Sequence, residues 1–258
     1  MLLTEFDPAR QAIANPTDLV QPVPNLPKVA VSCFARTTFA RMVEALEAVP
    51  VAASSVANME IPIYRAVYQG TPVALFLSDV GAPACVGLLE DVFVMGVERL
   101  VLFGTCGVLD SAIADCSIII PTAALRDEGT SFHYAPPSEE LPVNPRYLDA
   151  FLDILNAHQC SYTLGKTWTT DAPYRETRGK MERRKAQGCV SVDMECSAVA
   201  ALAAFRQKEV FQFFYAADNL ASEQWDSRSL SDKANLSAKD KVAQLALELA
   251  VRIAAEQD

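Results

Sequence analysis

The chain has 258 residues, 51% of them hydrophobic and 21% charged, with a formal net charge of −10. That much apolar material builds a core and excludes disorder over the whole length. The acidic balance excludes a broad basic face for a nucleic-acid backbone, so an anionic ligand would need a locally basic pocket.

Pro8, Pro16, Pro22, Pro24 and Pro27 punctuate residues 1–27, which read as an irregular N-terminal arm; residues 28–258 read as one domain. Val29–Phe34 is a short apolar run and predicts a buried strand. Thr37–Val49 spaces Phe39, Met42, Val43, Leu46 and Val49 on one helical face. Ile61–Tyr68, the turn Gln69-Gly70 and Pro72–Ser78 predict a hairpin, and a second helix follows from about Ala84 to Gly96. Leu100–Phe103 reads as a strand entering a turn at Gly104-Thr105-Cys106-Gly107.

The alternation continues with a strand over Ser117–Ala123, a helix over Pro145–His158 and a strand over Ser161–Trp168. A polar helix over Arg175–Gln187, a short strand Val190–Val192 and a helix Glu195–Arg206 come next. Val210–Ala217 is a strand ending at Asp218, and Asp232–Glu256 is a long amphipathic helix. This order predicts an α/β fold: a single-domain α/β/α sandwich around a central mixed β-sheet. Ligands of such sheets sit beyond the carboxyl ends of the strands, here after Phe34, Phe103 and Ala217.

Seven scattered cysteines without a Cys-x-x-Cys pair argue against a disulfide framework and a structural zinc site. With His133 and His158 as the only histidines, no metal is expected. The N-terminus lacks a signal-peptide pattern, and no apolar run reaches the ~18 residues that span a bilayer. The sequence therefore reads as cytoplasmic, with neither membrane nor nucleic acid as partner.

Five segments carry chemistry, each with a plainer reading beside it. Gly104–Gly107 lets backbone N–H groups and the Thr105 hydroxyl approach an anion or a ribose, or is a tight turn; it is neither a Walker loop nor a GxGxxG fingerprint. In Val192-Asp193-Met194-Glu195 the carboxylates cap the helix that follows, or Met194 and Glu195 present an apolar wall and a bidentate acceptor to a sugar diol. Asp218-Asn219 is a surface turn, or Asp218 is a general acid. The polar, aromatic loop Asp127–Tyr134 binds a ligand, or its His133 packs in the core; Thr169–Thr177 has the same ambiguity.

Taken in order, GTCG, DEGTSFHYAP, TTDAPYRET, VDMECSAVA and AADNLA resemble the nucleoside phosphorylase family, which holds purine nucleoside phosphorylases, uridine phosphorylases and related nucleosidases. The likeness covers roughly residues 28 to 250. GTSFHYAP looks most like the uridine enzymes; Asp218-Asn219 looks more like the purine-type members, whose aspartate protonates N7. The resemblance implies ribose binding by Met194, Glu195 and Thr105, and phosphate binding by Arg36, Gly104 and Thr105. It implies base binding by Pro173, Tyr174, Asp218 and Asn219, with Asp218 as the catalytic acid. No cofactor is implied; the partners are a nucleoside and phosphate as co-substrate, in a homo-oligomer from dimer to hexamer.

Four departures stand out. The Gly-Asp-Pro that precedes the family's phosphate-loop arginine is absent before Arg36. Pro173 replaces the family's stacking Phe, Leu102 stands where the family's phosphorylases have an arginine, and residues 42–64 contain no Arg or Lys to lend to a neighbouring subunit. The implied activity is phosphorolysis of a nucleoside, purine by the Asp218 hint. Hydrolysis by water, uridine phosphorolysis and a catalytically weak nucleoside-binding protein are the alternatives.

Overall fold

The computed structural model describes residues 5–56, 58–231 and 233–256. Strand β1 (Val29–Cys33) is buried along its whole length, as a central parallel strand must be. It lies between β4 (Thr71–Leu77) and β5 (Arg99–Val108), parallel to both, and β5 pairs in parallel with β10 (Glu209–Asn219). β2 (Val49–Val56) and β3 (Met59–Tyr68) extend the sheet beyond β4 as an antiparallel meander. On the other side β6 (Ile118–Asp127), β8 (Tyr162–Thr170) and β9 (Cys189–Asp193) join β5 and β10 into a closed ring of five strands. The short β7 (Glu140–Pro142) pairs with β6. The sheet is mixed, as expected, and one end of it curls into a small barrel.

Period-two alternation splits the strand side chains between two layers. Val29, Val31, Cys33, Val101 and Phe103 pack under α2 (Arg36–Ala45), α4 (Leu148–Ala157) and α7 (Leu236–Ala255). Ala30, Leu100 and Leu102 face α3 (Ala82–Met95) and α6 (Cys196–Arg206). The register Cys33–Phe103–Phe213 sets the carboxyl ends of β1, β5 and β10 side by side. The arm carries one helical turn, α1 (Pro16–Leu19), and Val23 donates its backbone N–H to the Met95 carbonyl at the end of α3.

Several expectations are corrected. Helix α2 stops at Ala45: Glu47 adopts a left-handed φ of 48°, and Val49, expected on the helix, opens β2 and is exposed. The polar helix α5 (Arg178–Ala186) starts later than predicted, because Thr177 caps it through the Lys180 N–H, after a 3-10 turn at Pro173–Arg175. The predicted turn at Gly104–Gly107 does not exist; β5 runs straight through it. A Cβ on Gly104 would lie 2.6 Å from the Phe34 ring, and one on Gly107 2.5 Å from Leu220, so these glycines serve close approach. Strand β10 does not end at Ala217 but continues to Asn219 after a bulge between Ala216 and Asp218. The predicted start of the last helix at Asp232 lies outside the described residues.

Among the described residues no helix is long and apolar enough to cross a membrane, and no cluster of three His, Cys, Asp or Glu side chains could hold a metal ion.

Candidate active site

Where β1, β5 and β10 end, three adjoining cavities of about 430, 190 and 490 Å³ form one cleft. Leu230 borders all three, Thr105 joins the first to the second, and Asp218 and Glu176 join the second to the third.

The middle compartment is built by the β9–α6 junction. Asp193 is buried, and four donors hold it: the Glu195 and Cys196 N–H groups at 2.8 and 2.6 Å, and the Thr167 and Thr169 hydroxyls at 3.0 and 2.9 Å. It is the helix cap. Burial still raises its carboxyl to about 6 against those bonds. With the capping done by Asp193, Glu195 is left to line the cavity with Met194. Glu195 is 6% exposed, and its Oε1 accepts the Gly81 N–H at 2.6 Å. Gly81 sits at a φ of 98°, a conformation open to glycine and costly for other residues, just before α3. Burial, reinforced by the charge of Asp193, pushes the Glu195 carboxyl up to about 8. A carboxylate so placed has an unmet demand for donors.

At one end, Asp218 faces the cavity because the bulge in β10 re-aims it. Its strand partner is Gly107, whose missing Cβ leaves room for Asp218 Oδ1. The Trp225 indole N–H donates to Oδ2 at 2.8 Å. Burial raises the Asp218 carboxyl, opposed in part by that bond. Glu176 lines the same end and is pushed up to about 7, first by burial and then by the charges of Asp218 and Asp193. Pro173 and Tyr174 border this compartment, with Tyr174 98% exposed at its mouth and Trp225 62% exposed. Arg178 clamps the loop that carries Trp225 by donating to the carbonyls of Leu220, Ser222 and Glu223.

At the other end, Arg36, Ser78, Asp79 and Lys239 line the cavity with Thr105. Leu102, where a cation would be expected, is fully buried in the apolar layer facing α3 and α6.

Thr105, Met194, Glu195, Asp218, Pro173, Tyr174 and Arg36 therefore meet in one cleft. Gly104 acts from behind, by letting Phe34 close the wall. Asn219 does not join them: its amide bonds the Ser111 hydroxyl and the Ala221 N–H, which fixes the turn after β10. The Asp127–Tyr134 loop does not line the cleft either. His133 is exposed, so its core reading fails, and Glu128 and Ser131 are buried, Glu128 accepting the Ser197 hydroxyl to brace α6. Trp225 and Lys239 had no local signal in the sequence, and Glu176 lay in the Thr169–Thr177 segment without being singled out; long-range folding brings them here.

Comparison with known proteins agrees with this architecture. The sequence matches the phosphorylase superfamily over residues 28–255. The chain belongs to that superfamily. It is similar to a guanosine phosphorylase of Halorubrum lacusprofundi, 28% identical over 76% of this chain and 79% of the relative. It is also similar to a uridine phosphorylase of Escherichia coli, 23% identical over 57% of this chain and 64% of the relative. Among solved structures, a purine nucleoside phosphorylase from Toxoplasma gondii in complex with immucillin-H superposes with a TM-score of 0.77 at 20% identity, covering 92% of this chain and 98% of that one. A uridine phosphorylase from Vibrio fischeri gives 0.75 at 19% identity, covering 94% and 99%. At those identities the likeness establishes that this phosphorylase-superfamily chain shares their fold.

Proposed function

We propose that this chain is a nucleoside phosphorylase that cleaves the N-glycosidic bond of a purine nucleoside with orthophosphate, giving the free base and ribose 1-phosphate. One observation carries the reading: the buried Glu195 carboxylate lies between a compartment lined by Arg36, Lys239 and Thr105 and one lined by Asp218. Those three stations match the three parts of the reaction, namely anion, sugar and leaving base.

In this reading Glu195 accepts from the ribose 2′- and 3′-hydroxyls, which supply the donors its buried charge lacks. The transition state has oxocarbenium character, so a fixed carboxylate near the sugar also opposes the developing positive charge. Arg36 and Thr105 hold the phosphate that attacks the anomeric carbon. Asp218 Oδ2 is occupied by the Trp225 indole, which leaves Oδ1 to carry the proton towards purine N7 as the bond breaks. Glu176 offers an acceptor to a base edge that carries an N–H. Phosphate is the co-substrate and the reaction calls for no cofactor.

Hydrolysis is the second reading, and the observation that favours it is Leu102, whose burial in the core leaves no arginine at that position. A nucleoside panel incubated with and without phosphate separates the two. Ribose 1-phosphate formed only with phosphate supports phosphorolysis, whereas free ribose at an equal rate without it supports hydrolysis. Turnover of uridine but not of inosine, guanosine or adenosine would refute the purine assignment.

We further propose a homo-oligomer. Val49, Val51, Val56, Met59 and Val67 are exposed on β2 and β3, and such a patch suits burial against a second copy. A monomeric mass by light scattering would contradict it. We also propose a reducing, cytoplasmic setting, which five of the seven cysteines fit by packing as small apolar side chains in the core.

A further inference from the structure

Lys239 lies in the first turn of α7, yet it is 1% exposed. Its Nζ donates to the Ser231 carbonyl at 2.7 Å, and among the described residues no carboxylate lies within ion-pair distance of it. A side chain this buried needs partners for all its donors, and the positive end of the helix offers no compensating charge. An ammonium has three donors, and the carbonyl takes one. Lys239 also lines the compartment shared by Arg36, Ser78 and Thr105. Asp79 is the one carboxyl among the lining residues, and burial raises it, towards the neutral form.

We propose that Lys239 is a ligand of the phosphate co-substrate, supplying from α7 the fixed positive charge that Leu102 does not supply from β5. The inference rests on the phosphorolysis reading above. It follows from a charge count: two cations, Arg36 and Lys239, against one acid, Asp79, line a compartment that opens, through Thr105, onto the sugar site. A dianion there satisfies the donors that Ser231 leaves unused. Arg36 is exposed and so holds the outer side, while Lys239 holds the inner one.

The rival role is mechanical. Ser231 adjoins Leu230, which borders all three compartments, so a lysine that merely pinned this turn would shape the nucleoside site as well. The test therefore compares two Michaelis constants. In Lys239→Met, which keeps the length and removes the charge, the KM for inorganic phosphate should rise about 10- to 100-fold, as the loss of a charge-assisted bond predicts, while the nucleoside KM changes less than about threefold. Equal shifts in both constants, or an unchanged phosphate KM, would overturn the proposal.

Binding is read separately from turnover on the wild-type protein. Its crystal structure at saturating inorganic phosphate should show the anion within hydrogen-bond distance of Lys239 Nζ. An anion held by Arg36 and Thr105 alone, or none, refutes the role of Lys239 even if the variant does not fold. If the wild type cleaves nucleosides without phosphate yet holds phosphate on Lys239, the phosphorolysis reading fails while the anion site stands.

Discussion

Replacing Glu195 by Gln should make the empty protein more stable and the enzyme nearly inactive. The unfolded chain ionises this carboxyl near 4.5, whereas the fold holds it at about 8. An acid whose folded pKa is raised contributes stability that is complete below the unfolded value and is lost as pH rises towards the folded one. At pH 7 the loss is about (7 − 4.5) × 1.36, or roughly 3 kcal/mol, because folding must take up a proton. Glutamine is nearly isosteric, can still accept the Gly81 N–H, and carries no such penalty. For a chain of this size about 3 kcal/mol corresponds to a Tm gain on the order of 6–12 °C. Thermal unfolding of both proteins from pH 4.5 to 9, without ligand, reads this directly. The two curves should meet near pH 4.5 and diverge as pH rises, the variant being the more stable. Turnover by the same variant should fall about 10- to 1000-fold, since a charged acceptor to the ribose diol is gone. Parallel melting curves, or a variant less stable than wild type at pH 8, would refute the reasoning and leave Glu195 as a structural residue of the α6 terminus.

Asp218→Asn should slow purine nucleosides about 10²–10⁴-fold. In the proposed mechanism the protonated carboxyl is the acid, so wild-type kcat should decline as pH passes its raised pKa, and that limb should vanish in the variant. Trp225→Phe keeps an aromatic wall but removes the donor that favours the Asp218 anion, so the same limb should move to higher pH, read from a kcat–pH profile. Gly104→Ala would drive a methyl to within 2.6 Å of the Phe34 ring, so the variant should lose about 1–3 kcal/mol of stability and show a raised nucleoside KM, measured by calorimetry and steady-state kinetics.

The alternation of strands and helices was legible because β1, β5 and β10 are buried on both faces and read as unbroken apolar runs. β2 was not: VPVAASSV holds a proline and two serines and is mostly exposed, as an edge strand can be, so it carries neither an apolar run nor a clean alternation. Gly104 and Gly107 signalled a turn but serve contact with Phe34 and Leu220, a distinction that depends on residues far away in sequence. Met194, Glu195 and Asp218 were named through the family resemblance, since at strand ends each kept a plainer reading as a cap or a turn. Trp225 and Lys239 could not be named, since each reaches the cleft through a loop or a helix that carries no periodic mark of it, and nothing within Thr169–Thr177 set Glu176 apart.

The pair Asp193 and Glu195 shows how one local motif serves both folding and chemistry. Two carboxylates two residues apart before a helix would ordinarily compete for the same free N–H groups. Here Asp193 takes two of them and two threonine hydroxyls besides. The start of α6 is thereby fixed and Glu195 is released from capping. Its carboxyl then sits beside that of Asp193 in a buried place where ionisation is costly, an arrangement a purely structural motif would avoid, because an amide or an apolar side chain would pack there at lower cost. The persistence of an acid at that point, held on one oxygen by Gly81 at the mouth of α3, is best explained by what enters the cleft. In the proposed reaction a vicinal diol brings two donors that stabilise the otherwise unfavourable carboxylate. Substrate binding should consequently expel a proton from Glu195 at pH 7, so the apparent heat of nucleoside binding must depend on the ionisation enthalpy of the buffer.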